Sequence, residues 1–221
     1  WMQKLPGGII HVNVVGCALF AAISGSSAAT VATVGKMSIP ELRKRNYPEK
    51  ILLGSLAGSG TLGLLIPPSI ILIIYGVAVQ ESIAKLFIAG IIPGIMIALI
   101  FMSYVIIWSL INKKEMPKIL EEYSFLEKVK KSKQLLPVIL LILAVIGSIY
   151  TGIATATEAA SLGVVGALIL SYFQKSLNLD TFKSSLLGAT KTSCMIAFIL
   201  AGSTFLSLAM GFTGLPRNLA I

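Results

Sequence analysis

The chain has 221 residues, of which 18 are Lys or Arg and 9 are Asp or Glu, so only 12% carry charge, against roughly 25% in an ordinary soluble domain. A hydrophobic share of 56% and a mean hydropathy of +0.90 leave too little polar surface to cover a compact body in water. A water-soluble globule is therefore excluded, and the composition indicates an all-α integral membrane protein. The net charge of +9 does not indicate nucleic acid, because no basic run is interleaved with stacking aromatics.

Charge gaps divide the chain into apolar blocks at 9–35, 51–79, 86–111, 135–150, 157–173 and 185–211, which read as one polytopic transmembrane domain over 1–221. The polar stretches 36–50 and 112–134 hold most of the Lys and Arg and are assigned to the cytoplasm, with the short turn at 80–85 outside. Within 112–134, Ile119, Leu120, Tyr123, Leu126 and Val129 recur near helical spacing, so an amphipathic helix on the inner membrane surface is expected, a solvated loop being the alternative. Cys17 and Cys194 lie in apolar segments with no metal or disulfide spacing and read as small buried hydrophobes. The first residues lack the features of a signal peptide and Trp1 precedes Met2, so the sequence is expected to be an internal stretch of a longer chain.

Block 9–35 departs from the simple crossing pattern, because Lys4 before it and Lys36, Arg43, Lys44 and Arg45 after it favour the same side. Ser24-Gly25-Ser26-Ser27 splits it into pieces of about 15 and 8 residues, roughly 22 and 12 Å as helix, each short of the ~30 Å hydrocarbon core. A re-entrant helical hairpin entering from the cytoplasm is expected; one straight helix with a small-residue packing face is the alternative. Block 51–79 has the opposite anomaly, since about 29 residues of helix would run about 43 Å. Gly58, Gly60 and Gly63 weaken it, and Pro67-Pro68 would free the carbonyls of Gly63 and Leu64. A discontinuous helix is expected, with a kinked continuous one as the alternative. Freed carbonyls at that depth need protein, a watery cavity or a cation.

At a hairpin tip, orphan carbonyls and orphan amides meet. Ser26 or Ser27 can cap the second half-helix, whose positive end favours a carboxylate, while the carbonyl end near Ser24 favours a cation such as Na⁺. Gly25 allows a positive φ, and serine hydroxyls supply hard oxygen ligands without fixed charge. Ser24, Gly25, Ser26, Gly63, Leu64 and Pro67 are thus the Na⁺-site candidates. Ser26 and Ser27 are candidates for the substrate. Two discontinuous elements facing each other at mid-membrane are the arrangement of a secondary transporter.

The run GGIIHVNVVGCALFAAISGSSAATVATVGKMSIPEL, followed by NYP, GTLGLLIPPSIILIIYG, LFIAGIIPG and GIATATEAASLG, strongly resembles the DctM-like large membrane subunit of tripartite ATP-independent periplasmic (TRAP) transporters. The resemblance covers essentially the whole chain in order, and SGS, IPPS and TEAA together make it specific. It implies an elevator-type permease of the bacterial or archaeal inner membrane that imports organic-acid anions, such as C4-dicarboxylates or sialic acid, with Na⁺ as coupling ion and no other cofactor. It also implies two partners, a small membrane subunit and a periplasmic substrate-binding protein. Carried over by motif, Ser24 to Ser27 match the inner hairpin tip, and Thr61, Gly63, Pro67 and Pro68 match the broken helix beside it, which adds Thr61 and Pro68 to the substrate candidates. The family's second repeat, with its outer hairpin and second Pro-Pro break, is absent, and Ala156 stands where the family usually has Pro.

Glu158 is the one acid within an apolar block, which by default marks a functional group; Thr155-Ala156-Thr157-Glu158 also fits a helix capping box. Lys191 is placed near a helix end, where it can snorkel, and His11 and Asn13 are expected to orient the first half-helix through hydrogen bonds. No Arg lies within an apolar block, so tight capture of an acidic substrate is left to the binding protein. The rival classes are a self-sufficient Na⁺ or H⁺ symporter, a channel-like bundle, and an intramembrane enzyme. Against the enzyme, His11 lies at least 13 residues from the serines, about 20 Å along one helix and outside hydrogen-bond reach.

Overall fold

The computed structural model describes residues 2–117 and 132–213, which contain helices and turns and no strand. Glycine, serine and proline cut the first 80 residues into short helices: α1 His11–Ser24, α2 Ser27–Lys44, α3 Glu49–Gly60 and α4 Ile70–Val79. Longer ones follow: α5 Ile83–Ile111, α6 Leu136–Tyr150, α7 Ala156–Phe173 and α8 Leu179–Thr213. By length and composition α5, α7 and α8 can each cross a membrane, while the apolar segments Gly8–Ser24, Ile70–Val79 and Leu136–Tyr150 are shorter. The chain divides into two units, Trp1–Val164 and Val165–Ile221, the boundary falling inside α7.

In the first unit, α1 buries Ile10, Val14, Cys17 and Ala21, a three-and-four spacing that forms one stripe. The matching stripe on α2 is Thr30, Val34, Ser38 and Leu42. Ile10 and Leu42 share one core cluster with Ile51, Leu52 and Val105, while Cys17 and Val34 share another with Leu56. Ser24 meets Thr30 at the other end, so α1 and α2 run antiparallel as a hairpin, with α3 packed along both.

The second arm is longer than the sequence predicts. It was expected to stop near residue 35, but α2 continues through Pro40 to Lys44. Pro40 costs the helix a backbone hydrogen bond; burial of Leu42 and Ser38 against the hairpin core offsets that cost. The turn from α2 to α3 is held by Tyr47 N–H donating to the Leu42 carbonyl at 3.1 Å and by the Arg43–Glu49 and Arg45–Glu41 ion pairs, both at 2.6 Å.

α5 supports the break between α3 and α4. Gly90 and Gly94 sit one turn apart, and a Cβ on them would meet the Leu65 carbonyl oxygen at 2.7 Å and Ile66 Cγ1 at 3.1 Å. The irregular backbone thus lies directly on the α5 surface, the small-residue packing that membrane helices use. Phe87, Ile149 and Ala159 form a further cluster joining α5, α6 and the start of α7.

Helix ends follow local chemistry. The helix expected over 86–111 starts earlier, at Ile83, and that expected over 185–211 starts at Leu179 because the Asn178 side-chain oxygen accepts the Thr181 N–H at 2.7 Å. The amphipathic helix expected within 112–134 falls mostly on 118–131, outside the described residues; its flanks Lys113–Glu115 and Lys133–Leu135 are single 3-10 turns.

Candidate ion and substrate site

α1 stops because Gly25 takes a left-handed conformation (φ 58°, ψ 11°) with its N–H donating to the Ala21 carbonyl at 2.9 Å. Ser26 then turns extended and caps α2: its Oγ accepts the Ala29 N–H at 3.4 Å and its carbonyl accepts the Thr30 N–H at 3.0 Å. Ser24 Oγ lies 2.9 Å from Thr30 Oγ1 and 3.3 Å from both the N–H and the carbonyl of Ser26. Ser27 Oγ is buried with no hydrogen-bond partner, a cost that an unbound serine hydroxyl in a packed site carries.

Across from this tip, α3 ends at Gly60 and passes through the 3-10 turn Thr61–Leu64 into Pro67-Pro68 before α4 begins. The helix therefore stops before the prolines, and the Leu64 carbonyl, expected to be free, accepts the Ser69 hydroxyl at 2.7 Å. Thr61 Oγ1 donates to the Gly58 carbonyl at 2.7 Å and stays exposed.

Tip and break meet backbone to backbone. The Ile70 N–H, at the start of α4, donates to the Gly25 carbonyl at 3.2 Å. A Cβ on Gly25 would lie 2.7 Å from the Pro68 carbonyl oxygen, and one on Gly63 would lie 2.8 Å from the Ser27 nitrogen and 2.9 Å from the Ser26 carbonyl carbon. A Cβ on Gly60 would overlap Val31 of α2. Glycine at 25 and 63 is thus the condition for the contact, and a side chain at either position would push the two irregular segments apart.

The structure brings together Ser24, Gly25, Ser26, Ser27, Gly63 and Pro68. Of the other candidates, the Leu64 carbonyl accepts from Ser69, the Thr61 hydroxyl donates to the Gly58 carbonyl, and Pro67 Cγ lies 3.7 Å from the Cβ position of Gly90 on α5. Thr30 and Ser69, both fully buried, complete the polar lining and were not singled out from the sequence. Their signals were weak: Thr30 is four residues from Ser26 on one helix face, and Ser69 follows the double proline.

None of the residues named above at the tip and the break carries a fixed charge. Glu41, held below the usual carboxylate range by the hydrogen bond and charge of Arg45, belongs to the exposed α2–α3 turn. Among the described residues no three His, Cys, Asp or Glu side chains cluster to hold a metal, so cation ligation here would use hydroxyls and carbonyls.

The remaining polar residues tie helices together. Asn13 Nδ2 donates to the Leu52 carbonyl at 3.2 Å and to Ser55 Oγ at 3.0 Å, joining α1 to α3. His11 is fully buried and its Nε2–H donates to the Pro6 carbonyl at 2.8 Å. Glu158 forms the capping box: Oε2 accepts the N–H and the hydroxyl of Thr155, both at 2.8 Å, while the Glu158 N–H donates to Thr155 Oγ1 at 3.3 Å. Cys17 is buried, whereas Cys194, expected to be buried, is exposed on α8; Lys191, expected near a helix end, is exposed twelve residues inside α8, because that helix already starts at Leu179.

Residues 3–221 match the family model described as "Tripartite ATP-independent periplasmic transporter, DctM component". The chain belongs to the DctM family of TRAP transporter components. It is 35% identical over 98% of its length to the C4-dicarboxylate TRAP transporter large permease protein DctM of Pseudomonas aeruginosa, covering 50% of that protein. It is 36% identical over 90% of its length to the sialic acid TRAP transporter permease protein SiaT of Haemophilus influenzae, covering 32% of it. It is 34% identical over 99% of its length to the ectoine/5-hydroxyectoine TRAP transporter large permease protein UehC of Ruegeria pomeroyi, covering 51% of it. The chain spans about half the length, or less, of these curated relatives. The family is one of multi-pass membrane permease subunits and not of enzymes, in line with the expectation from the sequence.

Proposed function

We propose that the chain forms the first half of the transport site of an inner-membrane, Na⁺-coupled TRAP permease importing organic-acid anions. The observation that carries this reading is the contact between the Gly25–Ser27 tip and the Gly63–Ile70 break. It sets the carbonyl end of α1, the amide ends of α2 and α4, and the unpaired Ser27 hydroxyl in one neutral, oxygen-rich place. Helix ends of opposite polarity serve a carboxylate and its counter-cation together, and the names of the C4-dicarboxylate and sialic acid relatives agree with that substrate class. α1 has 14 residues, about 21 Å of helix and too short to cross the hydrocarbon core, which supports a re-entrant hairpin. In an elevator mechanism this hairpin would travel with its cargo.

Without a cationic side chain at the tip, binding of an anion rests on helix-end dipoles, each worth about 0.3–2 kcal/mol in favourable settings, and on bound Na⁺. Capture at low concentration is therefore assigned to a periplasmic binding protein, with a small membrane subunit completing the complex. The test is uptake by the complete permease in proteoliposomes. Transport should require a Na⁺ gradient and, at low substrate, the binding protein; equal uptake on a proton gradient without Na⁺ overturns the coupling, and equal uptake without the binding protein leaves a self-sufficient symporter.

A further inference from the structure

A pocket of about 320 Å³ opens where the chain enters α1, between the α2–α3 turn and the last turn of α5, far along α1 from the hairpin tip. Its walls include Gly7, Gly8, Tyr47, Ser109, Lys113 and Met116. Gly7 and Gly8 both have positive φ, 96° and 53°. A Cβ on Gly7 would lie 2.8 Å from Ser109 Oγ, and one on Gly8 would lie 2.6 Å from the Tyr47 hydroxyl. The double glycine therefore lets the backbone pass against both hydroxyls without a side chain between.

The hydrogen-bond inventory of this pocket is lopsided. Three carbonyls of the entering chain are engaged: Leu5 accepts from Gly8 N–H at 2.8 Å, Gly7 from Ile10 N–H at 3.2 Å, and Pro6 from His11. The donors are not. Tyr47 Oη accepts the Ile9 N–H at 3.1 Å, which leaves its own proton to give. Ser109 is 3% exposed and its Oγ has no partner. Among the described residues Lys113 makes no ion pair and no carboxylate lines the pocket, the neighbouring Lys114 and Glu115 lying outside it. Two spare hydroxyl protons and a lysine on the wall of one pocket suit an anion with several acceptor oxygens.

We infer that this pocket binds a phosphate group, with the Ser109 and Tyr47 hydroxyls and the Lys113 ammonium as its donors. The shared chemistry has two sources, the headgroup of an anionic phospholipid and free inorganic phosphate. The site lies at the Lys-rich end of α5, on the side that the charge distribution assigns to the cytoplasm, and it is independent of which substrate the permease carries.

The experiment is equilibrium binding of radiolabelled dihexanoyl phosphatidylglycerol and of radiolabelled inorganic phosphate to the complete permease in neutral detergent. Saturable binding is expected, weakened about tenfold by Lys113→Gln and about threefold to tenfold by Ser109→Ala, the sizes expected for a charged and a neutral hydrogen bond. Lys191→Gln should leave it unchanged, and circular dichroism should show the same helix content in all variants. Tighter binding of the lipid assigns the site to the membrane; equal binding of both assigns it to soluble phosphate. No saturable binding of either, or binding that survives both substitutions, overturns the site.

Discussion

Helices α1 to α3 and helix α8 are built from similar apolar and small residues, yet they use them in opposite ways. Within and between α1, α2, α3 and the break after α3, Gly25, Gly35, Gly60 and Gly63 face atoms closer than a Cβ tolerates, while Gly54 faces open space, and Asn13, Ser55, Ser59 and Thr30 are buried. In α8, 35 residues long, no residue is buried, and nothing lies within 4 Å of a Cβ on Gly188, Gly202 or Gly211. Apolar character alone therefore does not mark a site in a membrane chain. What marks it is where glycine brings backbone onto backbone and polar groups follow it inward.

The largest effects should come from glycine. Gly63→Val puts a branched side chain against the Ser26–Ser27 backbone, so overpacking of about 1–3 kcal/mol or more is expected, read as a lower thermal midpoint in nanodiscs and loss of uptake. Gly202→Ala in α8 should instead be neutral or stabilising by roughly 0.5–1 kcal/mol. Equal sensitivity at both positions would erase the contrast.

Polar groups should differ by a smaller margin. Asn13→Leu removes the bonds from α1 to the Leu52 carbonyl and Ser55 and should cost about 1–2 kcal/mol. Thr204→Val removes only a local bond to the Leu200 carbonyl on an exposed face, and its midpoint should stay within about 0.5 kcal/mol of the parent.

The smallest effects belong to the cap of α7. Thr155→Ala should cost about 1 kcal/mol as a lost helix cap, whereas Glu158→Gln, which still fits a capping box, should leave both stability and uptake near the parent. Abolished uptake in Glu158→Gln with intact folding would give that acid a transport role in place of a structural one.

Features with short-range causes were legible in the sequence. Ser24-Gly25-Ser26-Ser27 breaks a helix through its own backbone chemistry, Pro67-Pro68 forbids one, and Thr155 with Glu158 caps one; each acts within four residues. The extension of α2 past Pro40 was not legible, because it depends on Leu42 reaching Ile51 and Leu52. Nor was the Ser69 hydroxyl that occupies the Leu64 carbonyl, since it required the fold of the break. Nor was the packing role of Gly90 and Gly94, which depends on Leu65 and Ile66 lying against them.

Ser27→Ala in the complete permease separates a binding role from a packing one, because the Ser27 hydroxyl is buried and bonds to nothing in the protein. Removing it should leave the thermal midpoint unchanged or slightly raised, alanine being the better helix former. If that oxygen is a ligand for the substrate, the substrate concentration giving half-maximal uptake should rise about threefold to tenfold, the size of one lost hydrogen-bond-scale interaction. An unchanged substrate dependence, with folding and maximal uptake intact, would contradict the assignment of the hairpin tip to the transport site.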